Sequence, residues 1–363
     1  MPHQTVVLTD AVSLGGADRV TLNWATTIQA LGSEVQVFHA QAPGLLTPVF
    51  KERGIGISRQ DHAGVVQNIV ARRPDTVVCN IATAFTPLLP AIRPFTRRLV
   101  CLIHSMTPWS HQFLTPALVP LYDHIVVITA QQVDEIIAFG IPTSKVVCIK
   151  NFIDTEEFHF QEVPRSPEFR IGYAGRADGS KRTALLPEVL ALLRIQGVKA
   201  RLVLLGMVDG GQGASTKFWE ANTQHFRERT QWLNQAPFIE YLPPTPHPAG
   251  FYASLDALIL LSVSEGSPLV VWEALACGTP VVTTDVGDVR RICLPETGSL
   301  VLPNIDDCVP LAARALRVVA SRPQEVRETD RKAAATLVHQ LRGVKTWNQV
   351  YLPVLRHVLG GLG

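Results

Sequence analysis

No uninterrupted apolar run in this chain approaches the ~20 residues that a membrane-spanning helix needs. No Asp-x-Asp, no Cys-x-x-Cys and no zinc-type ligand spacing occurs, so the usual sequence signs of a bound metal are missing. The six cysteines stand singly at Cys79, Cys101, Cys148, Cys277, Cys293 and Cys308, mostly inside apolar segments, and read as buried reduced thiols. Charge is scarce: 18% of residues are Asp, Glu, Lys or Arg, and a net charge of +2 gives no footing for nucleic acid as a partner. Low-complexity tracts and short-period repeats are absent. The opening Met-Pro-His-Gln-Thr runs into a strand and does not read as a signal peptide. A soluble cytoplasmic protein is the expectation.

What the chain has is apolar surface to bury. Its 363 residues are 47% hydrophobic, enough for two domains with a core each. Short apolar runs at 5–8, 35–39, 76–79, 99–104, 124–128 and 146–150 alternate with amphipathic stretches at 19–31, 64–72 and 130–139. That is the βαβ rhythm of a parallel sheet covered on both faces. It pauses over the polar, proline-bearing segment 158–167 and resumes at 169–174, 200–206, 238–241, 256–261, 280–284 and 300–302. The expectation is an α/β chain of two Rossmann-like, doubly wound domains, residues 1–160 and 168–340, with the site in the cleft between their strand ends. Trp347, Val350, Tyr351, Val354 and Leu355 form a stripe at helical spacing. A terminal helix over 344–363, crossing back to the first domain, is expected from it.

The most informative stretch is Glu265-Gly-Ser-Pro-Leu-Val-Val-Trp-Glu273. A buried strand precedes it, and a helix from Leu269 to Cys277 follows, with Ser267 expected as N-cap and Pro268 as first helical residue. The free amides at such a helix start suit a phosphate. Glu265 would lie in the loop, and Glu273 roughly 7–8 Å beyond Pro268 along the axis. That offset suits one carboxylate on a sugar and one on a ribose. Ser13-Leu-Gly-Gly-Ala-Asp-Arg19 follows the first strand, but it is not G-x-G-x-x-G, and no strand-end acid follows to hold a ribose. An NAD-dependent oxidoreductase is disfavoured on both counts. Gly172-Tyr-Ala-Gly-Arg176, with Lys181 beyond it, could bring two cations to a diphosphate, although solvated surface cations fit the same residues.

Taken together these segments resemble the family-4 retaining glycosyltransferases of the GT-B architecture, over nearly the whole chain. Gly15-Gly16-Ala-Asp-Arg19 resembles the family's first loop. Ile128-Thr-Ala, Gly140-Ile-Pro-Thr-Ser-Lys145 and Lys150-Asn-Phe-Ile-Asp154 resemble its first-domain exit. Gly175-Arg176 with Lys181, Glu265 through Glu273 with the helix and strand after it, Val286-Gly-Asp-Val-Arg290 and Glu296-Thr-Gly298 complete the pattern. The resemblance implies that Arg176 and Lys181 neutralise the departing diphosphate and that Glu273 bonds the ribose. It implies Glu265 and His104 at the donor sugar, the loop Ser267, Pro268, Leu269 and Val270 approaching phosphate and sugar, and Gly15 and Gly16 closing over the donor. Two departures stand out. Tyr241-Leu-Pro-Pro-Thr-Pro-His-Pro248 replaces a loop that usually carries an early glycine, and the segment 207–235 is longer than usual. Asp288 is placed near the site without an assigned role.

The family reading implies transfer from a nucleoside diphosphate sugar to a hydroxyl acceptor, a growing glycan or a glycolipid, with neither metal nor cofactor. A GT-B epimerase or hydrolase, or a non-catalytic nucleotide-sugar-binding subunit, would share the fold. Leu88, Leu89, Phe95, Trp109, Phe113 and Leu118 lie in proline-punctuated loops beside Arg93, Arg97 and Arg98. Exposed, they would suit peripheral attachment at the inner face of a membrane; buried, they would finish the first core.

Overall fold

A computed structural model describes residues 2–207 and 216–361. The stretch 208–215, within the long segment noted above, lies outside the described residues. The chain divides into two compact units, Met1–Phe152 with Trp347–Gly363, and Ile153–Thr346.

The first unit holds seven strands: β1 (Gln4–Thr9), β2 (Glu34–His39), β3 (Gly56–Arg59), β4 (Thr76–Asn80), β5 (Arg98–Ile103), β6 (His124–Val127) and β7 (Val146–Cys148). They pair in parallel in the order β3-β2-β1-β4-β5-β6-β7, so the direction of winding reverses between β1 and β4. Val6, Val7 and Leu8 are consecutive and all buried, which requires cover on both faces of the sheet. The second unit repeats the plan with β8 (Phe169–Ala174), β9 (Ala200–Leu205), β10 (Ile239–Leu242), β11 (Ala257–Leu260), β12 (Val281–Thr284) and β13 (Leu300–Leu302). Their order is β10-β9-β8-β11-β12-β13, reversing between β8 and β11. None of the six cysteines forms a disulfide, and burial pushes the Cys101, Cys277 and Cys293 thiols up to about 12. No described helix is long and apolar enough to cross a membrane.

The unit boundary falls at Phe152/Ile153 rather than in the proline-bearing segment 158–167. Phe152 packs on Trp347 with ring centroids 4.9 Å apart, whereas Ile153 N–H donates to Arg342 O at 2.9 Å in the second unit. Phe158, expected in a linker, is buried beside Tyr252, 6.3 Å between ring centroids. The terminal helix Val344–Val358 ends against the first unit: Leu355, Val358 and Leu359 are buried, and Leu359 O accepts from Thr76 Oγ1 at 2.9 Å and His3 Nε2 at 3.1 Å. Val350 of the expected stripe faces solvent instead. At about 1.5–3 kcal/mol per fully buried large apolar side chain, this end is part of the first unit's core.

His124 opens β6 close to that helix, its ring 5.4 Å from that of His357. Both ring nitrogens are buried without a partner among the described residues. Burial lowers its pKa first, then Arg98, His357 and Lys145, against Asp123. A histidine held below its unfolded pKa contributes stability above ~6.5 that is lost as pH falls toward the folded value. The melting temperature is therefore expected to fall on acidification from pH 7 to 5, with a shallower slope in His124→Phe. Equal slopes in thermal melts of the two proteins would exclude His124 as a contributor.

Candidate functional site

In the second unit the site grows from the strand ends at the reversal between β8 and β11, where ligands of doubly wound sheets collect. After Ala174 the chain turns at Gly175, φ +142°, a conformation that favours glycine. Arg176 is exposed, and its carbonyl accepts from the Tyr173 hydroxyl at 2.8 Å. Asp178 accepts from Ser180 N–H at 2.8 Å, and Ser180 O in turn accepts from Val263 N–H at 2.7 Å, pinning this loop to the one after β11. The result brings Lys181 Nζ into contact with Glu265 Oε1, the same oxygen that accepts from Ser262 Oγ at 2.7 Å. Lys181 is thus paired rather than a bare cation. An ammonium carries three donors, so two remain for an incoming phosphate oxygen.

The helix Leu269–Ala276 has Pro268 as its N-cap (φ −70°, ψ 107°), so the expected Ser267 cap is corrected. The reason is competition: Ser267 Oγ donates to Asp288 Oδ2 at 3.0 Å and accepts from Trp272 Nε1 at 3.1 Å. Arg342 reaches the same Asp288 oxygen at 2.9 Å while lying 4.4 Å over the Trp272 ring. Burial pushes the Asp288 carboxyl up, against the pull of Arg342 and Ser267. Gly287 sits at φ +54°, and a Cβ there would stand 2.1 Å from Gly266 O, so the two loops meet only because this residue is glycine. With no side-chain cap, the Leu269 and Val270 amides find no acceptor among the described residues and stay available at the helix start. Glu273 is buried one turn deeper and accepts from the Tyr252 hydroxyl at 2.8 Å.

Gly15, Gly16 and His104 stand in the first unit. Gly15 N-caps the helix Gly16–Ala30, and Asp18 Oδ2 accepts from Gly15 N–H at 3.0 Å and from Ser13 Oγ at 2.5 Å. This helix start already carries a carboxylate, which favours a neutral ligand group there over a phosphate. His104 follows β5, half-buried, with Nε2 against Asn80 Oδ1, and burial pushes its pKa down to about 4. Of the residues considered for membrane contact, Leu89, Phe113 and Leu118 are buried and Leu88 and Phe95 pack on the core. Arg93 is tied to Asp123 at 3.2 Å and Arg97 to Asp75 at 3.3 Å. Of the six apolar side chains Trp109, 49% exposed, is the one that is not at least partly buried in the core, because the loops close the core instead.

Two family models match in tandem: Glycosyltransferase Family 4 over residues 14–157 and Glycosyl transferases group 1 over residues 154–333. The chain belongs to the family-4, group 1 glycosyltransferases. The D-inositol 3-phosphate glycosyltransferase of Paenarthrobacter aurescens is 33% identical over 142 residues, 38% of this chain and 32% of that protein. Its namesake from Jonesia denitrificans is 28% identical over 187 residues, 51% and 41%. The chain therefore spans less than half the length of these curated relatives. Among solved structures, Anabaena HepE in complex with UDP and glucose matches with a TM-score of 0.78 at 18% identity, covering 97% of this chain and 98% of that one. Sucrose-phosphate synthase from Thermosynechococcus elongatus gives 0.75 at 16%, covering 98% and 99%. At such identities the shared property is the fold, GT-B.

In this family-4 chain, sequence reasoning missed Tyr252, Ser262, Asn80 and Gln132. Tyr252 and Ser262 hold the two glutamates of the motif, but nothing in their spacing marks them. Asn80 left a faint signal, a polar residue closing an otherwise apolar strand.

Proposed function

We propose that this protein transfers a sugar from a nucleoside diphosphate sugar, UDP- or GDP-linked, to a hydroxyl of a growing glycan or glycolipid, with retention of configuration and without a metal. The observation that carries the reading is the Lys181–Glu265 contact beside the uncapped start of the helix Leu269–Ala276. Fixed cations and open helix amides are what a departing diphosphate needs. UDP in the Anabaena HepE complex favours a uridine nucleotide. On this reading Arg176, Lys181 and the amides of Leu269 and Val270 take the diphosphate, Glu273 the ribose, and Glu265 and His104 sugar hydroxyls. The bond from the anomeric carbon to the β-phosphate oxygen breaks as the acceptor oxygen attacks the same face. The acceptor proton passes to the departing phosphate, so atoms and charge balance.

Incubation with a panel of nucleotide sugars and glycan acceptors is expected to release UDP or GDP with EDTA present. Proton NMR of early product is expected to show the donor's anomeric configuration preserved. Activity abolished by chelation and restored by magnesium or manganese would overturn the metal-free reading, and an inverted product the retaining one. Nucleotide release that needs no acceptor hydroxyl would favour the hydrolase alternative. Binding without release would favour the non-catalytic subunit.

A further inference from the structure

Asn80 closes β4 at the reversal point of the first sheet and is buried. Its Nδ2 donates to Ala17 O at 3.0 Å and to Thr21 Oγ1 at 2.5 Å, both on the helix Gly16–Ala30. A carbonyl oxygen only accepts, so the amide nitrogen must face the helix and Oδ1 must face His104. Oδ1 also only accepts. The His104 Nε2 against it therefore carries the hydrogen, and the neutral ring keeps a lone pair on Nδ1. Burial lowers the ring's pKa to about 4, so it stays neutral at pH 7.

A second carboxamide fixes the backbone of the same residue. Gln132, buried, donates through Nε2 to His104 O at 2.9 Å while its Oε1 accepts from Ile128 N–H at 3.0 Å. Its own N–H is held by Thr129 Oγ1 at 3.2 Å. Next to Asn80, Ile81 sits at φ +46°, left-handed backbone that a β-branched residue rarely adopts. Strain of this kind persists where the surroundings over-determine a position, and it gathers at functional sites.

We propose that Asn80 is a positioning residue for the transfer reaction. It locks His104 in the Nε2–H tautomer, so that Nδ1 accepts a hydrogen bond from a substrate hydroxyl and His104 donates no proton to the substrate. The substrate role rests on the transferase reading above; the tautomer does not. Through Ala17 and Thr21 the same amide ties His104 to the helix that follows Gly15.

Long-range proton–nitrogen NMR of the full chain labelled with ¹⁵N-histidine, assigned with His104→Gln, is expected to show His104 as Nε2–H at pH 7. Asn80→Leu removes the acceptor at similar volume and should release the tautomer. It should also lower kcat about tenfold, one hydrogen bond's worth, with UDP affinity unchanged. Asn80→Asp keeps an acceptor and adds charge, so the His104 pKa should rise and the acid limb of the kcat profile should move up with it. A structural role alone would lower the melting temperature and leave tautomer, pKa and pH profile where they were, which would overturn the proposal. An Nδ1–H signal in the unaltered protein would overturn it too. The tautomer as stated, with no turnover on any nucleotide sugar, would sink the transferase reading and the substrate role while leaving the lock.

Discussion

Lys181→Ala is expected to lower kcat by roughly 10²–10³-fold, the cost of removing one fixed group from a developing charge. The structure sharpens why. Lys181 is not a mobile surface cation: it is drawn to Glu265 Oε1, which Ser262 also fills, and the backbone link from Val263 to Ser180 fixes the two loops. It therefore meets a diphosphate with little reorganisation, and that is where preorganised charge gains over water. Lys181→Arg should recover only part of the rate, because the longer planar guanidinium places its donors differently from a compact ammonium. Glu265 enters the same measurement. Without Lys181 its carboxylate would face the leaving phosphate, so Lys181→Ala/Glu265→Gln should be faster than Lys181→Ala alone. A single variant within twofold of the unaltered protein in nucleotide release would remove Lys181 from the site.

The parts of the fold legible in the sequence are those where burial imposes a pattern. β8 and β13 match their runs end to end, since apolar residues dominate both, although Arg170 interrupts β8 and β13 is a half-buried edge strand. β3 left no such trace. It is four residues at the sheet edge, Gly-Ile-Ser-Arg, with one large apolar side chain, and an edge strand needs little more. In the candidate site, order and spacing single out Arg176, Lys181, Glu265 and Glu273, and the structure brings Lys181 against Glu265. The contacts that orient them were not, since Tyr252 and Glu273 are 21 positions apart and their meeting depends on the tertiary fold. Ser267 shows the limit of local rules. Serine before proline reads as an N-cap, yet a buried carboxylate 21 residues away wins its hydroxyl.

That carboxylate is the basis of the second large effect, on stability. Asp288 and Arg342 form an ion pair with both side chains 6% exposed, so solvent screens it little. The upward shift of Asp288 shows that burial outweighs the attraction of Arg342, the regime in which a pair adds little net stability yet neither member can be removed alone. Asp288→Ala is expected to cost about 3–5 kcal/mol, because one member of a buried ion pair is removed and Arg342 stays buried without this carboxylate. For a unit of this size that is a melting temperature lower by about 10 °C. Asp288→Ala/Arg342→Leu should recover much of the loss, since the buried guanidinium goes with it. The raised pKa sets the sign with pH: the group favours the native state most below its unfolded value of ~3.9, and that contribution is lost as pH rises through the folded value. At neutral pH the carboxylate is thus held charged at a cost, and the return is placement: Ser267 is fixed by Asp288, and Gly266 is met by Gly287. The double variant should then be stable but have a raised KM for the donor, because the loop before the helix Leu269–Ala276 has lost its anchor. If it were as stable as the unaltered protein and bound donor equally well, the pair would be dispensable to the site; a single variant as stable as the double would show that Arg342 finds another partner.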